Sequence, residues 1–196
     1  MSYTSVIAMS EFEKYSGLFS ENGDFDIPAQ FTMGLLYQPT QKTTLLFDLQ
    51  RIFYNNVNSI GNPPITTQEA AGVISPDRLL GASNGMGFGW ENIWVVKAGL
   101  NYRYNEKISF RLGFSFNEAP IRKEFAFQNL IAPATNEYHA TAGISYVLDS
   151  KNTLHLAYVH AFHNSLSQST SPALQSSAKI SMHQNSLSIS FSHDFD

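Results

Sequence analysis

Cysteine is absent from all 196 residues, which excludes a disulfide framework, a thiolate zinc site and a thiol nucleophile. Charge is sparse: 12 Lys+Arg and 16 Asp+Glu make up 14% of the chain, with a net charge of −4. A polyphosphate partner requires a basic face, so nucleic-acid binding is disfavoured. No apolar run approaches the roughly 20 residues that a helical span needs, the best piece being Ile93-Trp94-Val95-Val96, and helical spans are therefore excluded. Met1-Ser2-Tyr3-Thr4-Ser5 offers neither a basic nor an apolar leader region. The expectation is a cytoplasmic chain or one whose true N-terminus lies upstream. Aromatic side chains, by contrast, are plentiful: 15 Phe, 9 Tyr and 2 Trp in a chain that is 43% apolar. That balance excludes disorder, and the length suits one domain or a large piece of one.

The informative periodicity is two, because a strand turns successive side chains to opposite faces. Five segments alternate cleanly: 94–104, 108–117, 138–148, 154–163 and 186–195. On one face of these segments 25 of 27 positions are apolar or aromatic, the exceptions being His160 and His193. On the other face only Val95, Val147 and Val159 among 25 positions are apolar and larger than alanine. Segments 3–9, 29–37 and 45–53 follow the pattern more loosely, which brings the expected strands to eight. No window carries a sustained 3.6-residue apolar stripe, so helices are minor.

The same alternation suits a soluble sandwich, a lipocalin-like cup or a membrane barrel, and the polar face separates them. A water-facing sheet is usually rich in Lys, Glu and Asp. Here the polar face is Ser, Gly, Thr, Asn and Ala with a few scattered charges, which suits the narrow interior of a transmembrane barrel. The apolar face, with Tyr102, Tyr104, Tyr138, Phe162 and Phe195 toward its ends, suits hydrocarbon bounded by aromatic girdles. Connections alternate as well. Short polar links at 38–42, 105–107 and 149–152 alternate with long ones at roughly 11–26, 55–90, 119–136 and 164–182, far beyond the usual hairpin of about 2–5 residues. The expected fold is all-β: an antiparallel transmembrane barrel with long external loops and short periplasmic turns. A soluble β-protein is the alternative.

Several stretches, in order along nearly the whole chain, resemble the outer-membrane long-chain fatty acid transporters of the FadL/TodX type. They are Lys14-Tyr15-Ser16-Gly17-Leu18-Phe19, Gly23-Asp24-Phe25-Asp26-Ile27-Pro28, Phe47-Asp48-Leu49-Gln50-Arg51, the glycine-rich 81–90, Asn129-Leu130-Ile131-Ala132-Pro133-Ala134 and 157–165. The resemblance implies a 14-stranded barrel plugged by an N-terminal hatch. Residues 1–196 are then the C-terminal part of a single barrel domain, with signal peptide, hatch and first strands absent. It implies location in a Gram-negative outer membrane as a monomer in contact with lipid. It also implies that external loops collect a hydrophobic small molecule, a long-chain fatty acid or an aromatic hydrocarbon, and that release is lateral. The ending Phe195-Asp196 departs from the terminal aromatic of most such barrels.

Loop capture needs apolar side chains where polar ones are normal. Candidates are Phe12, Tyr15, Leu18, Phe19 and Phe25, joined by Phe88, Trp90, Leu130 and Ile131; the plainer alternative is that they cap the barrel mouth by packing on one another. Lys97, Arg103 and Arg111 fall on the polar face and are candidates for a lumenal carboxylate, against simple ion pairing with Asp48, Glu91 or residues of the hatch. Gly-x-Gly-x-Gly within 81–90 precedes a strand and lacks a following helix, which argues for a tight re-entrant loop instead of a phosphate cradle. His155 and His163 fall on one face by parity but about 26 Å apart along a strand, too far to share an ion. No metal, cofactor or catalytic residue is expected, and no positioned Ser-His pair stands out. A small structural or adhesive barrel and an outer-membrane lipid-processing enzyme remain as alternative functions.

Overall fold

A computed structural model describes residues 1–11, 13–17, 20–64, 69, 71–169 and 177–195. Eight strands form one antiparallel sheet in sequence order: β1 (Ser2–Thr4), β2 (Gln30–Thr40), β3 (Thr43–Ile52), β4 (Ile93–Arg103), β5 (Ile108–Asn117), β6 (Tyr138–Val147), β7 (Asn152–Gln168) and β8 (Ala178–His193). Among the elements that the described residues make up, helix amounts to two single turns, α1 (Ser20–Gly23) and α2 (Asn58–Gly61), and short 3-10 turns. No helix among the described residues is long and apolar enough to cross a membrane. β2 through β6 run 10 or 11 residues, the length a tilted strand needs to span hydrocarbon.

Register explains why the alternation works across the whole sheet. Tyr37, Leu45, Leu100, Leu112, Ala142, Tyr158 and Leu187 pair in succession and so form one transverse row on one face. One residue along, Leu36, Leu46, Gly99, Gly113, Thr141, Val159 and Ser186 make the corresponding row on the other face. The apolar face has no second layer over it: Leu35 is 66% exposed, Leu112 57% and Ile189 68%. A soluble sandwich would bury these side chains against a partner sheet. The accessible surface is 12215 Å², against about 9,300 Å² for a water-soluble monomer of this mass. Exposed apolar surface on this scale is stable only against lipid.

The packed core lies at the long-loop end instead of between sheets. Ala29, Val57, Ile60, Ile93, Ile121, Ala126 and Ile180 are buried there. Short turns close the other end. Between β6 and β7, Asp149 Oδ1 accepts from the Lys151 and Asn152 backbone N–H groups at 2.9 and 3.0 Å. Together with the Asn152 side-chain amide these bonds hold the Asp149 carboxyl below its usual range, the amide contributing most.

Three boundaries differ from the sequence reading. The first strand is only Ser2–Thr4 instead of 3–9, followed by an isolated Ile7–Ile27 bridge. β7 and β8 extend well past 154–163 and 186–195, so their long link shrinks to 169–177. Between Ala161 and Asn164 a bulge shifts the register. Beyond it Asn164, Leu166 and Gln168 turn inward, so His163 does not continue the face of His155. An extra residue in one strand breaks strict parity. The sheet is open: among the described residues no pairing joins β8 to β1 or β2.

Candidate functional site

Four segments converge at the long-loop end. Phe25 meets Phe88 edge-on (6.3 Å, 85°), Phe88 lies 6.1 Å from Trp90, and Tyr54 stands perpendicular to Trp90 at 5.1 Å. Edge-to-face placement suits the ring quadrupoles, and burial raises the pKa of Tyr54 above its ordinary 10.0. Gly89 lets the chain enter this cluster. Its φ is +69°, and a Cβ would sit 2.5 Å from the Phe125 ring, so no other residue fits without displacing that ring. The glycine-rich stretch is thus a tight loop packed on aromatics.

Asn129, fully buried, ties the cluster together. Trp90 Nε1 donates to its Oδ1 at 2.6 Å, while its Nδ2 donates to the Phe88 and Phe125 carbonyls, both at 2.9 Å. Asn129→Leu removes three satisfied bonds at once and leaves buried partners unpaired, an expected loss of about 2 kcal/mol from loop packing. A red shift and increased quenching of tryptophan emission, with sheet content unchanged, would register it. The tall β7–β8 hairpin braces the same region. Asn164 Nδ2 donates to the Thr135 carbonyl (2.9 Å), Asn136 Nδ2 to the Phe162 carbonyl (2.7 Å), and Gln168 Oε1 accepts from Phe127 N–H (2.8 Å).

α1 docks on the other side. Ser20 Oγ donates to the Gly85 carbonyl at 2.9 Å, Asn58 Nδ2 to Glu21 Oε1 at 3.0 Å, and Ser59 Oγ to the Asp24 carbonyl. Burial, then the neighbouring Asp26 and Glu21, raise the Asp24 pKa above its ordinary 3.8. A carboxyl whose folded pKa is raised favours the folded loop fully below the unfolded value, and that contribution is lost as pH rises through the folded one. The protection factors of amides 20–26, with the intrinsic pH dependence of exchange divided out, are therefore expected to be higher at acid than at neutral pH, and Asp24→Asn is expected to remove the difference.

The candidates named from sequence separate into groups. Phe25, Phe88 and Trp90 come together and are half-buried. Leu130 and Ile131 instead project outward, at 49% and 82% exposure. Phe12, Leu18 and Phe19 lie outside the described residues, and Tyr15 is placed only by its backbone, in the turn Glu13–Tyr15. Tyr54, Phe125, Asn129 and Gln168 were not singled out. Asn129 heads a stretch that carried the family resemblance, whereas nothing in the local pattern marks Gln168.

On the polar face Lys97 stands across from Asp48 in register, and its Nζ donates to Gln50 Oε1 at 3.3 Å. Arg103 belongs to the short-turn end, in a cleft of about 590 Å³ with Lys42, Glu106 and Lys107. Arg111 Nη1 donates to Ser145 Oγ at 2.5 Å. Lys97 and Arg111 line a concavity of about 500 Å³ with Asp48, Gly99 and Asn101. Among the described residues none of the three cations has a carboxylate within 4 Å, and Glu91 pairs with Arg122 instead. A Ser-His pair is present after all: Ser145 Oγ lies 2.7 Å from His155 Nδ1, because the two residues are register partners across β6 and β7.

An open antiparallel sheet with one lipid-facing side, a small-residue polar side and all long loops at one end is the wall of an outer-membrane β-barrel. The chain belongs to the outer membrane protein transport protein family (OMPP1/FadL/TodX), whose model matches residues 8–195. It is similar in structure to the toluene transporter TodX of Pseudomonas putida, at TM-score 0.60 and 19% identity over 88% of this chain and 36% of that one. It is also similar to a FadL homologue of Pseudomonas aeruginosa, at TM-score 0.60 and 15% identity over 88% of this chain and 37% of that one. In sequence it is 25% identical over 114 residues to a Neisseria meningitidis serogroup B protein provisionally named as the outer membrane protein NMB0088, covering 54% of this chain and 24% of the relative. The chain thus spans well under half the length of each.

Proposed function

We propose that these 196 residues are the C-terminal part of a single barrel domain whose whole takes up hydrophobic small molecules across the outer membrane, long-chain fatty acids or other hydrophobic compounds among them. The observation that carries this reading is the aromatic cluster of Phe25, Tyr54, Phe88 and Trp90 at the long-loop end, with Leu130 and Ile131 exposed beside it. The rings pack on one another, and it is the exposed Leu130 and Ile131 that give this end an apolar surface beyond what a capped barrel mouth needs. Membership in a transport family, and a relative that carries toluene, support it. The role assigned here is binding and passage, with no bond made or broken.

Exposed Leu130 and Ile131 make first contact, and the half-buried rings of Phe88 and Trp90 receive the ligand next. The polar lumen then offers it cationic groups at Lys97, Arg103 and Arg111. Lateral release into lipid accords with transfer energetics, since each methylene prefers hydrocarbon to water by about 0.8 kcal/mol. The test is uptake of labelled oleate and labelled toluene by cells producing the full-length protein, compared with a Leu130→Ser/Ile131→Ser variant. Faster uptake than in cells without the protein, reduced several-fold by the double substitution, is the expected result. Uptake no faster than the control overturns the reading and leaves a structural barrel.

A further inference from the structure

One row of the lipid-facing side turns polar at its end. Leu35, Phe47, Ala98, Phe114 and Ala140 pair in succession across β2 to β6, and the same row then runs into His160 on β7 and Asn185 on β8. There Asn185 Oδ1 accepts from the Tyr158 hydroxyl at 2.6 Å and lies 2.7 Å from His160 Nδ1, while the imidazole stands perpendicular to Phe162 at 4.6 Å. The Asn185 amide nitrogen has no partner among the described residues. Donors left unmet in hydrocarbon are costly, so this group needs polar surroundings.

Strand tilt provides them, because it carries a paired row from one membrane depth to another. The short turns measure the slope. The β2–β3 turn closes with Thr40 opposite Thr43, in the row of Ile144 and Leu156, whereas the β6–β7 turn closes three residues further on, with Val147 opposite Thr153. At the long-loop end the dry side of β3 stops at Arg51, which lies over the Trp94 ring at 5.0 Å and 3.8 Å from Glu118. Arg51 is four residues beyond Phe47, and Phe47 shares the row of His160. Both edges slope alike, so His160 and Asn185 stand at the outer edge of the hydrocarbon on β7 and β8 as Arg51 does on β3.

Above that edge the hairpin continues. His183 and, beyond the bulge, the outward pairs Ser165 with Ser181 and Ser167 with Lys179 are all exposed. The six residues from Asn185 to Lys179 cover about 20 Å of strand, or about 14 Å of height at a tilt near 45°. Phospholipid headgroups occupy only about 5–8 Å on each side of a bilayer. Residues 152–193 contain no Asp or Glu, but they hold Lys179 and five of the six histidines, so nothing on this hairpin repels an anion. We propose that the outward face of β7 and β8, from Tyr158, His160 and Asn185 up to His183 and Lys179, binds a phosphorylated glycolipid of the outer leaflet. Its acyl chains lie against Leu187 and Ile189, the polar trio meets the sugar at the hydrocarbon edge, and Lys179 holds a phosphate by a charge-assisted hydrogen bond. A phospholipid headgroup is too short to reach Lys179. These side chains face away from the lumen, so the site is independent of the uptake reading.

The test is native mass spectrometry of the full-length protein in detergent, titrated with three probes: rough-type lipopolysaccharide, the same lipid after phosphatase treatment, and phosphatidylglycerol. The wild type is expected to bind the first about tenfold more tightly than either of the others. Lys179→Gln/His183→Gln is expected to abolish that preference. His160→Leu/Asn185→Leu, at the hydrocarbon edge, is expected to weaken both sugar-bearing probes about threefold and to leave phosphatidylglycerol unchanged. A shift in gel mobility between unheated and boiled samples shows that each variant is folded. Equal wild-type affinity for the three probes, binding of none of them, or a preference retained by Lys179→Gln/His183→Gln overturns the site. Unchanged binding by His160→Leu/Asn185→Leu overturns the part assigned to the trio.

Discussion

Leu112→Arg is expected to destabilise the protein in lipid by about 2–4 kcal/mol, the cost of a guanidinium on the lipid face near the membrane midplane. Leu112 is central in β5, flanked in its row by Leu100 and Ala142 and 57% exposed. Nothing within the sheet offers a partner for a charge there. Ser188→Arg, on the opposite face of β8 beside Ala157, is expected to cost under about 1 kcal/mol, because lumenal side chains meet water. Urea unfolding of the full-length protein from phospholipid vesicles, followed by tryptophan emission, measures both. Equal costs would mean that the apolar row does not face lipid.

Arg78→Ala is expected to remove about 3–5 kcal/mol from the packing of the loop around residues 71–84 without touching the sheet. Arg78 Nε lies 2.7 Å from Glu69 Oε1, and the two side chains are 13% and 9% exposed. Arg78 also donates to the Pro63, Pro64 and Asn84 carbonyls at 3.0, 3.3 and 3.2 Å. Taking the cation from a buried carboxylate is much costlier than losing a surface pair. Arg78→Lys keeps the charge but loses the planar fork, so an intermediate loss is expected. Hydrogen exchange and limited proteolysis should show residues 71–84 opening while amides of Ile93–Arg103 stay protected. Simultaneous loss of sheet protection would mean that loop and barrel wall unfold as one unit.

Loop packing bears on function because the loops hold the aromatic cluster. Phe88 and Trp90 are kept half-buried by Asn129, and Asn129 by the Phe88 and Phe125 carbonyls. Phe125 in turn stacks under the Arg122 guanidinium at 4.3 Å. Movement in any one loop therefore changes how much ring surface meets solvent. By contrast, the contacts of Arg111 with Ser145, Ser145 with His155 and His155 with Ser192 join paired strands, whose register holds them.

Legibility in the sequence divides by the range of the interaction. Side-chain parity is a property of neighbouring residues, so the faces of 94–104, 108–117 and 138–148 could be read directly, and Lys97, Arg103 and Arg111 with them. The flip beyond Ala161 could not, because a bulge depends on how two strands pair and not on either strand alone. Nor could the short first strand, whose extent depends on Gln30–Thr32 across from it.

By itself the amino-acid order settled that alternate residues form a dry face and a small polar one and that long and short connections alternate; that the dry face meets lipid and not a second sheet was decided by the structure, where Leu35, Leu112 and Ile189 are uncovered. Tertiary structure alone decided which loop residues became core. Asn129, Gln168 and Arg78 meet partners up to 44 residues away, and no periodicity announces such a meeting. It also joined Arg111, Ser145, His155 and Ser192, since residues spread over more than 80 positions become neighbours only when four strands take one register.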